Sequence, residues 1–164
     1  MNMRVARCLL LAIAASAISL AQAQQRYWYD GEVRRPLWAE PAVVVDFAQG
    51  GGAAAVVPAP TGLEKGAGAH RSPVFRDAAS PGSPLRALAG GVIVRLRPGT
   101  TGAQRAALFA KHGVAQPRRV GGQDDVWFVP APAGVASLEL ANLLHETGDF
   151  ASASPDWWKA RTLK

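Results

Sequence analysis

The sequence predicts an α+β protein whose carboxy-terminal part follows the element order β-α-β-β-α-β. Residues 90–164 carry strand patterns at both ends and in a central hairpin, with two helical patterns between them. Residues 24–47 are rich in aromatic and β-branched residues, which favour short strands. Residues 48–89 are dominated by Gly, Ala, Pro and Ser, a composition typical of linkers.

Residues 1–23 have the layout of a secretory signal peptide. Two arginines precede an apolar run over residues 8–20, and Ala21-Gln22-Ala23 supplies the small residues that a signal peptidase requires. We therefore expect cleavage between Ala23 and Gln24, and a secreted or periplasmic protein. The apolar run is shorter than the roughly 20 residues of a membrane span, so no membrane anchor is expected after cleavage.

Residues 24–47 form the predicted β-rich extension. Its aromatic run ends in Asp30-Gly31, a turn signal, and Val43-Val44-Val45 predicts a further strand. Residues 48–89 are expected to form a low-complexity linker or long loop, because they bury too little apolar surface to offset the entropy lost on ordering. Within this linker, Pro73-Val74-Phe75-Arg76 is a candidate short strand.

The first half of residues 90–164 predicts a strand and a helix. Apolar and other residues alternate over Gly91–Leu96, and Pro98-Gly99 ends this strand. Thr101 and Gln104 have the spacing of a capping box, in which each side chain bonds the other residue's backbone N–H. The helix that follows has a small-residue face and is expected to end at Gly113.

The second half predicts a hairpin, a helix and a last strand. The hairpin pairs Val114–Val120 with Asp125–Pro130. Ser137 is expected to cap the second helix, and Gly148 to end it. The last strand runs over Phe150–Trp158 and carries a proline, so it should lie at a sheet edge or end there.

This order of elements is the split-βαβ, ferredoxin-like arrangement, in which two helices cover one face of a four-stranded antiparallel sheet. The other face is then open and offers a docking surface. The formal net charge is +6, or about +4 without the signal peptide. The paired arginines are either solvated strand edges or contacts to an anionic partner, and an exported protein is not expected to bind nucleic acid.

The titratable residues lack the grouping that catalysis or metal binding requires. Asp124-Asp125 lies in a predicted turn, Glu139 and Glu146 are separated on one helix, and the three histidines share no ligand spacing. The single cysteine, Cys8, lies in the signal peptide. We therefore expect no enzyme activity, no cofactor and no metal.

Two segments carry a resemblance to a known family. Gly91–Gly99 reads G-V-I-V-R-L-R-P-G and Ala153–Asp156 reads A-S-P-D. This chain thereby resembles the propeptide or inhibitor domain of bacterial subtilisin-like serine proteases, in which such a strand opens the domain and such a strand end closes it. The helix pattern at 137–142 with Gly148 behind it fits the same family. The protease motifs with catalytic aspartate, histidine and serine do not follow here.

The resemblance implies a stand-alone protein that binds a subtilisin-like protease as inhibitor, folding chaperone or both. The open sheet face would pack on the protease, and the tail would lie extended in the substrate cleft. The implied partner-binding residues are Trp157, Trp158, Lys159, Ala160, Arg161, Thr162, Leu163 and Lys164. From the residues alone, the two tryptophans are either a hydrophobic end of the core or a partner anchor.

Two alternatives remain open at the level of the sequence. The chain could be a non-catalytic interaction or structural module of the cell envelope that keeps the fold without binding a protease. It could also be the pro-region remnant of a truncated protease gene.

Overall fold

The structure, a computed structural model, describes residues 25–47, 53–60 and 70–160. The predicted signal peptide, its cleavage site at Ala23 and Gln24, and tail residues 161–164 lie outside the described residues. The described part is a mixed α+β protein with two helices and nine strands. Neither of these helices has the length and apolar character that crossing a membrane requires.

The strands form one large sheet and a separate two-stranded hairpin. The elements are β1 Tyr27–Asp30, β2 Val33–Pro36, β3 Trp38–Asp46, β4 Ala55–Pro58, β5 Arg71–Arg76, β6 Leu85–Arg95, α1 Gly102–Lys111, β7 Arg118–Arg119, β8 Val126–Val129, α2 Val135–Glu146 and β9 Ser152–Lys159. Strands β1 and β2 make the hairpin, and the large sheet has the order β4-β3-β5-β6-β8-β7, with β9 paired to β6. Every pairing is antiparallel.

Strand β6 is the centre of the large sheet and is paired along both edges. Val92 lies opposite Val129 of β8 and Pro155 of β9, while Ala87 lies opposite Val74 of β5 and Trp158 of β9. Strands β5 and β8 therefore follow one another along one edge, and β9 runs along the other. The β6–β9 register shifts between Leu88 and Val92, where two glycines with positive φ form a bulge.

Both helices pack on the same face of the sheet. Phe109 of α1 and Leu144 of α2 lie in one buried cluster with residues from β6, β8 and β9. The buried members of this cluster are Val92, Val94, Leu96, Phe109, Val129, Ala141, Leu144, Phe150 and Ala153. The main core therefore lies between the second half of β6 and the two helices.

Part of the region expected to be a linker forms strands of the sheet, and residues 48–52 and 61–69 of that region lie outside the described residues. Strands β4 and β5 and the first residues of β6 lie within residues 48–89. Phe75 and Leu88 are 2% and 0% exposed, so this region contributes to the core. The candidate strand at Pro73–Arg76 is confirmed within β5. The linker interpretation fails here because its few apolar residues are concentrated in the paired strands, which an average over the whole region hides.

Of the two predicted helix caps, the one at Thr101 is confirmed and the one at Ser137 is wrong. The capping box is confirmed, because Thr101 Oγ1 accepts from the Gln104 N–H at 3.3 Å and Gln104 Oε1 accepts from the Thr101 N–H at 2.9 Å. Ser137 is not a cap: α2 begins at Val135, and the buried Ser137 hydroxyl donates to the Gly134 carbonyl at 2.9 Å. A hydroxyl inside the first turn can satisfy a preceding carbonyl in this way.

The hairpin after α1 pairs over a shorter length than expected. The paired part of β7 is only Arg118–Arg119, against an expected strand over Val114–Val120, while β8 forms as expected. Gln116 has a φ of 51°, which is not a strand conformation and keeps the preceding residues off the sheet.

The β1–β2 hairpin is fastened to α2. The hydroxyls of Tyr27 and Tyr29 donate to Glu146 Oε1 at 2.8 and 3.1 Å, and Asn142 Nδ2 donates to the Tyr27 carbonyl at 2.9 Å. The Tyr29 ring stacks on His145 with ring centroids 3.9 Å apart. The predicted extension is thus divided, with β1 and β2 on α2 and β3 in the large sheet.

The substitution Phe75→Ala tests whether β5 belongs to the core. Removing a buried phenyl ring should lower the free energy of unfolding by about 3–5 kcal/mol, measured by urea denaturation. Val56→Ala, at a position that is 43% exposed, is the control and should change it by less than about 0.5 kcal/mol. Equal unfolding midpoints for Phe75→Ala and the unmodified chain would contradict the place of β5 in the core.

Candidate functional site

The predicted partner-binding residues begin on the edge strand β9. Among the described strands, β9 pairs with β6 alone, so its other edge has no strand partner. Trp157, Trp158 and Lys159 belong to β9, and Ala160 follows with its N–H donating to the Leu85 carbonyl at 3.1 Å. Arg161, Thr162, Leu163 and Lys164 lie outside the described residues.

Trp157 is directed to the helix face and closes a second apolar cluster. This cluster contains Leu37, Phe75, Leu88 and Leu138, and the ring of Trp28 packs beside it. The Trp28 and Trp157 rings meet edge to face with centroids 5.5 Å apart. Trp157 therefore stabilises the attachment of the hairpin to the sheet and is not free to bind a partner with its whole ring.

Trp158 is directed to the opposite face. It packs against a third cluster, made of Val45, Val74 and Ala87, and remains partly exposed. With Trp157, Lys159, Ala53 and Ala54 it lines an open groove of about 750 Å³. Of the two tryptophans, Trp158 is thus the one on the face away from the helices.

The face of β6, β8 and β9 opposite the helices carries a mixed set of side chains. Ile93 lies opposite both Phe128 and Ser154, and Phe128 lies opposite Arg118, so these four residues share the face. The Arg118 guanidinium lies 4.0 Å from the Phe128 ring centroid, a cation–π contact. Neither helix of the described chain packs on this side, and all four residues are partly or fully exposed. We call this set the open face.

Gly91 allows the Phe128 ring to lie flat on the open face. A Cβ atom built on Gly91 would lie 2.2 Å from two carbons of that ring, and its φ is +79°. Any side chain at this position would displace the ring and would also adopt an unfavourable backbone conformation.

Asp156 lies on the open face next to these residues. Partial burial raises the pKa of its carboxyl group above the ordinary range, and the charge of Arg118 acts in the opposite direction. An acidic group that is costly to desolvate and has a guanidinium nearby can pair with a cation or donor on a partner surface.

Three other aspartates have structural partners. Asp149 Oδ2 accepts from Lys111 Nζ at 2.6 Å and lies 2.7 Å from His112 Nε2. The contact with Lys111, and to a smaller extent that with His112, holds the pKa of Asp149 below its ordinary range. Asp125 pairs with Arg95 at 2.9 Å, and Asp124 pairs with Arg119. Within the described ranges, no three His, Cys, Asp or Glu side chains converge as a metal site would require.

Asp156 belongs to the A-S-P-D segment of the family resemblance, whereas its neighbours on the open face have no such signal. Arg118 is one of several paired arginines, and Phe128 lies in a predicted strand. Their juxtaposition with Ile93 depends on which strands pair and in which register, and no local pattern reports that. The available signal is Gly90-Gly91 at the start of a strand pattern, which marks a bulge or a close approach.

Gly91→Ala tests the packing of the open face. We expect a loss of at least about 1–2 kcal/mol in the free energy of unfolding from the backbone conformation alone, measured by urea denaturation. Gly122→Ala is the matched control, since an added Cβ there meets nothing within 4 Å. If both variants unfold at the same urea concentration, Gly91 is not constrained as described.

Asp156→Asn tests the cost of the partly buried carboxylate. Because the pKa is raised in the folded state, folding takes up protons between the unfolded and folded pKa values, and the charged group weakens the fold above that window. The variant should therefore be more stable than the unmodified chain at neutral pH, with the difference vanishing as pH falls below 3.8, the group's ordinary pKa. Asp124→Asn, at a side chain that is 90% exposed, is the control. A difference independent of pH would contradict this account.

Comparison of the chain with known proteins found no matching family model, no matching curated protein and no matching solved structure. The function is therefore inferred from the residues and geometry of this chain.

Proposed function

We propose that this chain is an exported, propeptide-like protein that binds a subtilisin-like serine protease as inhibitor, folding chaperone or both. The observation that carries the proposal is the strand order β9-β6-β8-β7 with both helices on one face. This is the order expected of a ferredoxin-like β-α-β-β-α-β unit.

The two segments that carry the family resemblance are neighbours in the sheet. Val92 and Val94 of the first segment lie opposite Pro155 and Ala153 of the second. All four side chains are buried, and three of them belong to the main core. The resemblance therefore rests on two segments that pair with each other in the sheet. Paired segments support a propeptide-like fold better than two segments that lie apart would.

The open face has the composition that a protein partner would require. Ile93 and Phe128 supply partly exposed apolar surface, while Arg118 and Asp156 supply charges of both signs. An apolar centre with charged groups around it resembles the anatomy of protein interfaces, where the charges fix orientation. The protease would pack against this face.

The end of β9 provides a route into a substrate cleft. Lys159 is exposed at the end of an edge strand, and the chain continues from Ala160 to Lys164. At about 3.3 Å per extended residue, Lys159–Lys164 would reach roughly 20 Å and occupy several subsites. An extended segment in a cleft gains main-chain hydrogen bonds while its side chains fill pockets.

The proposal is tested by inhibition of a subtilisin-like protease from the source organism. The mature chain should slow hydrolysis of a peptide substrate or raise the yield of refolded protease. Deletion of residues 161–164 and, separately, Ile93→Arg on the open face should each raise the inhibition constant by about tenfold or more, equivalent to about 1.4 kcal/mol.

Leu143→Arg is the matched control, because Leu143 is 59% exposed on α2, away from the open face. Circular dichroism establishes that each variant keeps the fold. If the full chain neither slows nor helps to refold any such protease, the inhibitor and chaperone proposals both fail. A non-catalytic module of the cell envelope is then the better description, and Trp158 is the first residue to substitute in search of its partner.

A further inference from the structure

Three buried hydrogen-bond donors without partners belong to one arginine and the two tryptophans on which it stacks. They are Arg86 Nη1, Trp28 Nε1 and Trp157 Nε1, each buried and each without an acceptor in the described part of the chain. Leaving a buried donor unpaired is costly. Arg86 and Trp28 both line one adjoining pocket, so their two unpaired donors favour a ligand there that accepts hydrogen bonds.

Arg86 is held rigidly between the two tryptophans. Its guanidinium carbon lies 4.8 Å from the Trp28 ring centroid and 5.1 Å from that of Trp157. Its Nη2 donates to Asp77 Oδ2, and the side chain is only 9% exposed. A guanidinium has five N–H donors, and the contact to Asp77 leaves those on Nη1 without a partner.

An open pocket of about 300 Å³ adjoins this arginine. Its lining residues are Trp28, Asp30, Arg35, Asp77, Arg86 and Lys159. Asp77 pairs with Arg86, and Asp30 lies 3.6 Å from Arg35 Nε. Lys159 has no ion pair within the described residues, so the lining carries one positive charge in excess.

We propose that this pocket binds a carboxylate. The ligand would accept the hydrogen bonds that Arg86 Nη1 and Trp28 Nε1 do not make, and Lys159 would neutralise its charge at the mouth. A flat, singly charged carboxylate matches the flat guanidinium and the single excess charge, whereas a doubly charged phosphate exceeds that charge. Because the donor atoms themselves are buried, the exposed side chains of Asp77 and Lys159 must shift for the ligand to reach them.

Two sources supply this chemistry, a small carboxylic acid and the free carboxyl end of a peptide. The proposal goes beyond protease binding and does not depend on it, since the pocket lies on the helix side of the sheet. There Trp28 packs against the cluster that contains Leu138 of α2, and Arg86 stacks on Trp28. Occupation of the pocket would strengthen the attachment of the hairpin to the sheet, because Trp28 belongs to one and Arg86 to the other.

The experiment is an NMR titration of the indole N–H signals of the mature chain with acetate. The chain has five tryptophans, so the signals are few enough to assign. The Trp28 signal should shift with saturation, because Trp28 lines the pocket. The Trp127 signal should stay fixed, because its Nε1 already donates to the Asp124 carbonyl at 3.1 Å.

Variants connect the shifts to the pocket. Lys159→Gln should raise the dissociation constant of acetate by about threefold, the effect expected of one exposed charge. Arg86→Lys keeps the positive charge but replaces the two Nη groups of the guanidinium with a single ammonium group. Acetate should then cause no saturable shift. Lys111→Gln removes a positive charge outside the pocket and should leave the dissociation constant unchanged. If Arg86→Lys fails to fold, the dissociation constant of acetate for Lys159→Gln still tests the proposed pocket.

Peptides distinguish the two sources. Binding of a short peptide with a free carboxyl end, without binding of its amidated form, assigns the chain end of a peptide; binding of acetate alone assigns a small acid. The proposal is overturned if acetate causes no saturable shift, if Trp127 shifts as much as Trp28, if Lys159→Gln binds acetate unchanged, or if phosphate binds more tightly than acetate.

Discussion

The pairing of β6 along both of its edges is the interaction on which the rest of the structure depends. One edge is shared by β5 and β8 in succession, and the other is covered by β9 from Ser152 to Lys159. The strands before β6 and the β-α-β-β-α-β unit that begins with it are thus joined in a single hydrogen-bonded sheet. A change that separates β6 from β5 would remove support from β9 as well, because the same strand holds both.

The bulge at Gly90-Gly91 divides β6 into two halves with different surroundings. Beyond it, Val92 and Val94 face the helices, and the reverse side forms the open face. Before it, residues on both sides of the sheet are buried. Leu88 lies in the second cluster on one side, and Ala87 lies in the third cluster on the other. The open face is therefore limited to the half of the sheet that α1 and α2 cover from behind, which is the half that the proposed protease contact uses.

The buried guanidinium of Arg86 lies in the first half of β6, where the β1–β2 hairpin packs against the sheet. Desolvating such a charge is costly, and the contacts to Asp77, Trp28 and Trp157 offset that cost. The hairpin, β6 and β9 each contribute one of the three stacked side chains, so the site forms only when all three elements are in place. A carboxylate bound there would couple the hairpin to the end of β9, from which the proposed cleft-binding tail continues.

The features that depend on neighbouring residues are predictable from the sequence. The capping box at Thr101, the strand at β8 and the candidate strand at Pro73–Arg76 are visible in it, because caps and strand alternation are local. Long-range contacts account for the rest. Strands β4 and β5 form within residues 48–89 because their apolar residues meet distant strands, and Ser137 is buried inside α2 because the helix begins directly after Gly134. The open face and the Arg86 site bring together residues far apart in the chain, and only strand register determines which of them meet.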